Sequence, residues 1–160
     1  LVVAAPKKYL IMLLNIVTDE QLLASQIVKT ILLLVISGGI IFNIYRIVRF
    51  ISIRKRAINI AILCILCIAL TFVIRVYRVE YALLKNPVYV TGTTIDYCNV
   101  FAEGRGIEFE YELNGIKYRN CNTFHPITID SIKIPGGKYR VRASTSFPGK
   151  GRMDFNKKVN

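Results

Sequence analysis

The chain has 160 residues, 53% of them hydrophobic, and a formal charge of +12. A positive mean hydropathy beside so basic a balance is unusual for a soluble domain. Basic charge can signal nucleic acid, but residues 1–85 hold 11 Lys and Arg against three acids, and most of those bases flank apolar runs. That is how a membrane interface looks, where long cationic side chains reach anionic headgroups. The second half is only mildly basic, with acids and bases interleaved, so nucleic-acid binding is not expected.

The chain starts at Leu1, and a processed or truncated N-terminus or an unusual start codon fit equally well. "LVVAAPKK" does not have the basic-then-apolar order of a signal peptide. "YLIMLLNIV", residues 9–17, is too short to span a bilayer. Thr18 and Gln21 then stand at capping-box spacing for a helix start. Residues 1–26 therefore read as an interfacial N-terminal segment.

The first long apolar run, Thr30 to Tyr45, lies between Lys29 and Arg46 and extends to a transmembrane helix over 27–48 if those cations snorkel. The second, "AINIAILCILCIALTFVI", has no charge between Arg56 and Arg75 and is the clearest membrane signal, read as a span over 57–79. Core helices of a globular protein would pass the same test, but the remaining chain is too small to bury two helices apolar on every side. Ser37, Gly38 and Gly39 in the first span, with Ala61 and Cys64 in the second, suggest close helix packing. Asn43 and Asn59 are amides suited to bonding a neighbouring helix. No acid lies inside either span, which argues against a proton or cation pathway.

Between the spans comes "RFISIRKRAINI". Arg46, Arg49, Arg54, Lys55 and Arg56 stand at this end, with the loop at 49–56, against Lys29, Arg75, Arg78 and Lys85 at the other. The bias of five against four is modest, but the five lie in and beside one short loop, where the positive-inside rule applies best. The loop is expected to be cytoplasmic. Both termini and the domain at 86–160 are then extracytoplasmic, on the periplasmic side of a multi-pass inner-membrane protein.

Cys64 and Cys67 form a C-x-x-C in mid-span, where packing is the expected role. "GIEFEYELNGIKYRNCNTF" alternates on both sides of Asn114-Gly115, the pair preferred in a two-residue hairpin turn. The register sets Leu113 against Ile116, Glu112 against Lys117, Glu110 against Arg119 and Glu108 against Cys121. Phe109, Tyr111, Leu113, Ile116 and Tyr118 share the core face. Cys98, near the end of the preceding strand, is a candidate disulfide partner of Cys121, a bond sensible only outside the cytoplasm. Two independent thiols are the alternative.

With the Pro135-Gly136-Gly137 turn, the strand "KYRVRA" and the loop "STSFPGKG", this half resembles a loose group of bacterial membrane proteins of unknown function, in which helices precede a small β-domain. The matching residues are Phe109, Tyr111, Asn114, Gly115, Tyr118, Gly137, Val141 and Pro148, within roughly 88–156. The group's usual Tyr-x-Pro after the Val-rich strand is absent. The resemblance implies a small antiparallel β-barrel-like or curled-sheet domain with no known catalytic activity.

His125 is the one histidine, so a His-based metal site or triad has a single candidate. Glu108, Glu110 and Glu112 share a face that Lys117 and Arg119 partly neutralise, and the Gly-rich stretches lack the context of phosphate loops. The expectation is an α+β membrane protein, not an enzyme, with no cofactor and no metal. It presents its β-domain to another membrane or extracytoplasmic protein, as a toxin-immunity protein or an accessory subunit of a membrane or secretion complex does. A homo-oligomer is compatible with this. The alternatives are a thiol oxidoreductase using Cys64 and Cys67, and a pore or transporter subunit.

Overall fold

The computed structural model describes residues 17–49, 52–100, 104–123 and 127–159. The expected interfacial stretch ahead of Val17, and His125, lie outside the described residues.

Helix α1 spans Asp19–Arg49 and α2 spans Ile53–Lys85. The capping box opens α1: the Gln21 N–H donates to Thr18 Oγ1 at 3.3 Å, and the Thr18 N–H to Gln21 Oε1 at 3.4 Å. Two donors at the helix start are thereby satisfied. Acids Asp19 and Glu20 in the first turn and Arg46 and Arg49 in the last complement the helix dipole. The helix begins at Asp19, ahead of the expected Ile27, and α2 begins at Ile53, ahead of Ala57. Glu, Gln, Leu and Ala ahead of the first span and Arg54, Lys55 and Arg56 ahead of the second are good helix formers, so these flanks extend the helices instead of ending them. Pro87 follows the end of α2 at Lys85, as a residue that cannot continue a helix.

Both helices are long and apolar enough to cross a membrane. Only 6% of each apolar window is buried, whereas a helix in a soluble core is mostly covered. Leu34, Ile41 and Ile68 are 69%, 68% and 70% exposed.

The described residues form two compact units, one of residues 24–80 and one of residues 81–159 with 17–23. In the first unit the covered positions recur every three or four residues. On α1 they include Gln26, Leu33, Ile36, Gly39 and Asn43, and on α2 Asn59, Leu63, Leu66, Leu70 and Val73. This is the seam of an antiparallel helical hairpin. Asn43 and Asn59 are buried in it, and each amide donates to the carbonyl four residues back on its own helix, Gly39 O at 2.9 Å and Lys55 O at 3.0 Å.

The second unit is built on a five-stranded antiparallel sheet: β1 Val88–Val100, β2 Gly104–Leu113, β3 Ile116–Asn122, β4 Lys138–Ala143 and β5 Arg152–Lys158. The order is β3-β2-β1-β4-β5. Strands β1 to β3 form a meander and β4 returns beside β1, which makes a Greek key. The sheet is not closed by a backbone ladder between β3 and β5. Side chains bridge that seam, with Asn120 Nδ2 donating to Gly151 O at 2.8 Å and Asn122 Nδ2 to Met153 O at 3.0 Å.

The β2–β3 register matches the sequence reading pair for pair. Asn114 and Gly115 take φ of 55° and 77°, the left-handed conformations that a type I′ turn needs. Phe109, Tyr111 and Leu113 enter a core completed by Ile107, Ile132, Tyr139, Val141, Ala143, Met153 and Phe155. Ile116, expected on that face, is 57% exposed because it sits beside the turn. Gly92 lets β1 pass beneath the core, since a Cβ there would meet Val141 Cγ2 at 2.5 Å. A bulge follows at Thr94/Asp96, and buried Thr94 holds the 133–137 turn, accepting from the Gly137 N–H at 2.9 Å and donating to Lys133 O at 2.7 Å.

Candidate functional site

Cys98 on β1 and Cys121 on β3 are joined by a disulfide, with Cα atoms 6.1 Å apart. Cys98 is opposite Gly106 of β2, and Cys121 is opposite Glu108. The bridge therefore closes over the intervening strand at Gly106. A Cβ at that position would fall 2.7 Å from Asn122 O and 2.9 Å from Cys121 Sγ, so glycine is what makes the crossing fit.

The same face carries the charged pairs. Glu110 takes both bases, Lys117 Nζ and Arg119 Nε, each at 3.3 Å. The hydrogen bond from Lys117 is the largest influence and, with that from Arg119 and the charge of both bases, holds its carboxyl below the ordinary glutamate range against the opposing effect of desolvation. These pairs lie at the surface, so their stabilisation is small.

Tyr111 works at the opposite face. Its hydroxyl donates to Pro148 O and accepts from the Gly151 N–H at 2.8 Å, fastening β2 to the turn before β5. Burial pushes its pKa up, partly offset by the bond from Gly151. Pro148 and Tyr118, also among the resemblance residues, belong to this fastening, the Tyr118 ring lying 5.9 Å from that of Tyr111.

Arg142 is an outward residue of β4, yet it is 3% exposed. Its Nε donates to Leu83 O at 2.8 Å, Nη1 to Val17 O at 3.1 Å, and Nη2 meets Asp19 Oδ1 at 2.6 Å. One guanidinium thus ties a strand to the helix ends that belong to its unit, through the fixed fork of donors that Arg presents.

Within the hairpin, Glu80 of α2 is 2% exposed and meets Lys29 of α1, Nζ to Oε2 at 2.5 Å. Ser25 Oγ donates to the same carboxylate at 2.8 Å, and Gln26 Nε2 donates to Tyr77 O at 3.2 Å. The sequence reading had Lys29 as a cation snorkelling to the interface. Instead it is held by an acid 51 residues away, and the cluster joins the two helices at one level of the hairpin.

At the other end, Arg46 and Arg49 stand in the last turn of α1, whereas Arg54, Lys55 and Arg56 stand in the first turn of α2. The Arg46 guanidinium lies 5.6 Å from the Phe42 ring centre and that of Arg49 5.8 Å from Tyr45.

The small residues chosen for helix packing fare unevenly. Gly39 lies on the seam, and a Cβ there would meet Leu66 Cδ1 at 3.5 Å. Ser37, Gly38, Ala61 and Cys64 are exposed and off the seam, because the phase of the helix is set by Ile36, Asn43 and Asn59. Cys64 and Cys67 are free and exposed. Among the described residues no group of three or more His, Cys, Asp or Glu is placed to hold a metal ion.

Sequence reasoning missed Arg142 and the Ser25–Lys29–Glu80 cluster. The only available signal was an acid, Glu80, standing among bases just past an apolar run. The chain matches no family model, no curated protein and no solved structure.

Proposed function

We propose that the chain is a non-catalytic integral membrane protein whose two helices cross the cytoplasmic membrane and hold the β-domain outside the cytoplasm, where it binds another protein. Toxin immunity and an accessory role in a membrane or secretion complex are the two forms of this reading. The observation that carries it is the Cys98–Cys121 disulfide in a chain with two exposed apolar helices. A structural disulfide persists in the periplasm and is reduced in the cytoplasm. The Lys and Arg count supports the same orientation, with five in and beside the short loop against four at the other end of the helices.

The side-chain bridges from Asn120 and Asn122 occupy the carbonyls of Gly151, just before β5, and Met153 within it, so strand addition along that seam is disfavoured. The partner surface is instead the outer face of β1–β3 around the disulfide, where Glu108, Glu110, Glu112, Lys117 and Arg119 present alternating charge. A photo-crosslinking residue placed at Glu112 in cells tests this. An adduct to an exported or membrane protein, lost when the probe is moved to lipid-facing Ile65, supports the reading. Adducts confined to cytoplasmic proteins, or none at Glu112 or elsewhere on this face, would sink it.

A further inference from the structure

On the outer face of the β-domain the strand registers sort the side chains into columns of one kind. Arg119 of β3 is opposite Glu110 of β2, Glu110 is opposite Thr93 of β1, and Thr93 is opposite Lys138 of β4. One step along, Lys117 is opposite Glu112, and Thr91 is opposite Arg140, which is opposite Asp154 of β5. Across the sheet the order is therefore base, acid, hydroxyl, base, acid. Taken from the other edge, every sign reverses about β1. A face with that property is complementary to itself: a two-fold axis along β1 lays the acids of β2 in one copy over the bases of β4 in the other.

The middle of the face is open. Glu110 takes both bases of β3, and Glu112 and Lys138 are exposed, with no ion pair formed by either among the described residues. Arg140 is 41% exposed, its Nη2 3.7 Å from Asp154 Oδ2. Thr91 and Thr93 are short and neutral, so two copies can approach where the axis passes. Since side chains join β3 to β5, the sheet curls and its outer face is convex, which leaves β2, β1 and β4 as the columns that can meet. Arg142 is taken up by the helix ends of its own unit. Asp96 follows the bulge, beyond the last β1–β4 pair at Thr93 and Lys138, and lies outside the patch. Such a patch is small for a stable interface in solution, and a shared membrane raises the effective concentration of the copies.

We infer that the partner of this face is a second copy of the chain, the two β-domains meeting through β2, β1 and β4 about a two-fold axis along β1. Glu112 of each copy faces Arg140 of the other, and Glu110 faces Lys138. The inference rests on the reading that the outer face is the partner surface and that the helices hold the copies in one membrane.

The test is oxidative cross-linking of the full chain in phospholipid vesicles, with alanine at Cys64 and Cys67 and one new cysteine at Thr91 or at Lys117. A residue on the axis meets its own copy, so Thr91→Cys should give a covalent dimer on a non-reducing gel. Lys117→Cys, two strand spacings or roughly 10 Å from the axis, should not. Added to Thr91→Cys, Glu112→Lys and Arg140→Glu should each lower the yield about fivefold or more, because like charges then face each other. Mixing the two variants, distinguished by tags of different size, should restore the yield in the mixed dimer, where the two new charges face each other and the two native ones do likewise. The comparison of Thr91→Cys with Lys117→Cys decides the matter even where Arg140→Glu does not fold. No cross-link at Thr91, equal cross-linking at both positions, or a yield indifferent to charge reversal overturns the dimer. A missing Thr91 cross-link beside a Glu112 adduct to a different exported protein overturns the dimer alone, and absence of both removes the partner surface with it.

Discussion

The hairpin of residues 24–80 and the β-domain solve the same problem, how to cover apolar side chains, in opposite ways. The β-domain encloses its apolar residues: Phe109, Ile107 and Val141 are all fully buried in a core fed by β2, β4 and β5. The hairpin covers a narrow seam and leaves its outer faces apolar, with polar groups drawn inward: Ser25, Gln26, Asn43, Asn59 and Glu80 are buried. Apolar outside and polar inside is the arrangement that suits lipid, since hydrocarbon does not drive apolar helix faces together. The difference teaches that the two units present opposite outer surfaces, one polar as water requires and one apolar as lipid would suit.

Substitutions can break that comparison at graded cost. Phe109→Ala should cost about 4 kcal/mol and unfold the β-domain, read by loss of its near-ultraviolet circular dichroism. Ile65→Ala on the outer face of α2 should leave the hairpin's helicity and detergent stability unchanged, because Ile65 is 66% exposed and touches no core. A large loss from Ile65→Ala would mean that this face is covered by protein instead of lipid.

Polar substitutions sharpen it further. Glu80→Ala strands Lys29 in the seam and should cost about 3 kcal/mol in hairpin stability, while the double change Glu80→Leu/Lys29→Met should recover most of it. Titration with denaturing detergent separates the two outcomes. Tyr111→Phe removes both hydroxyl bonds to the 148–151 turn and should cost about 1.5 kcal/mol, measured on the β-domain by thermal melting.

The smallest effect is set by Glu110. Its carboxyl titrates lower in the folded domain than in the unfolded chain, so its contribution is complete above the ordinary glutamate value and disappears as pH falls through the depressed one. Stability measured from neutral to acidic pH should show a slight excess loss relative to Glu110→Gln in that acidic window only. An excess loss near neutral pH would contradict the assignment.

Legibility in the sequence followed how local the determining signal was. The β2–β3 hairpin was readable residue by residue, because Asn114-Gly115 and the alternation around it fix turn and register together. The capping box at Thr18 and Gln21 was readable for the same reason. Helix packing was readable only at Gly39: Ser37 and Gly38 have the right size, but composition does not give the phase of a helix, and the seam runs through Ile36, Gly39 and Asn43. Arg140 and Arg142 are indistinguishable as outward residues of one strand, and only folding brings Leu83, Val17 and Asp19 to the second of them. The Lys29–Glu80 pair spans 51 residues with no motif between.

The most direct measurement of the central claim is thiol labelling of intact bacterial cells with a membrane-impermeant reagent, using a variant that keeps Cys98 and Cys121 and has alanine at Cys64 and Cys67. The account predicts no labelling until the cells are treated with a reductant, and then labelling of both thiols. Thiols that stay unreactive in intact cells with or without reductant, and react in lysed cells without it, would place the β-domain in the cytoplasm with Cys98 and Cys121 reduced, and the orientation proposed here would be reversed.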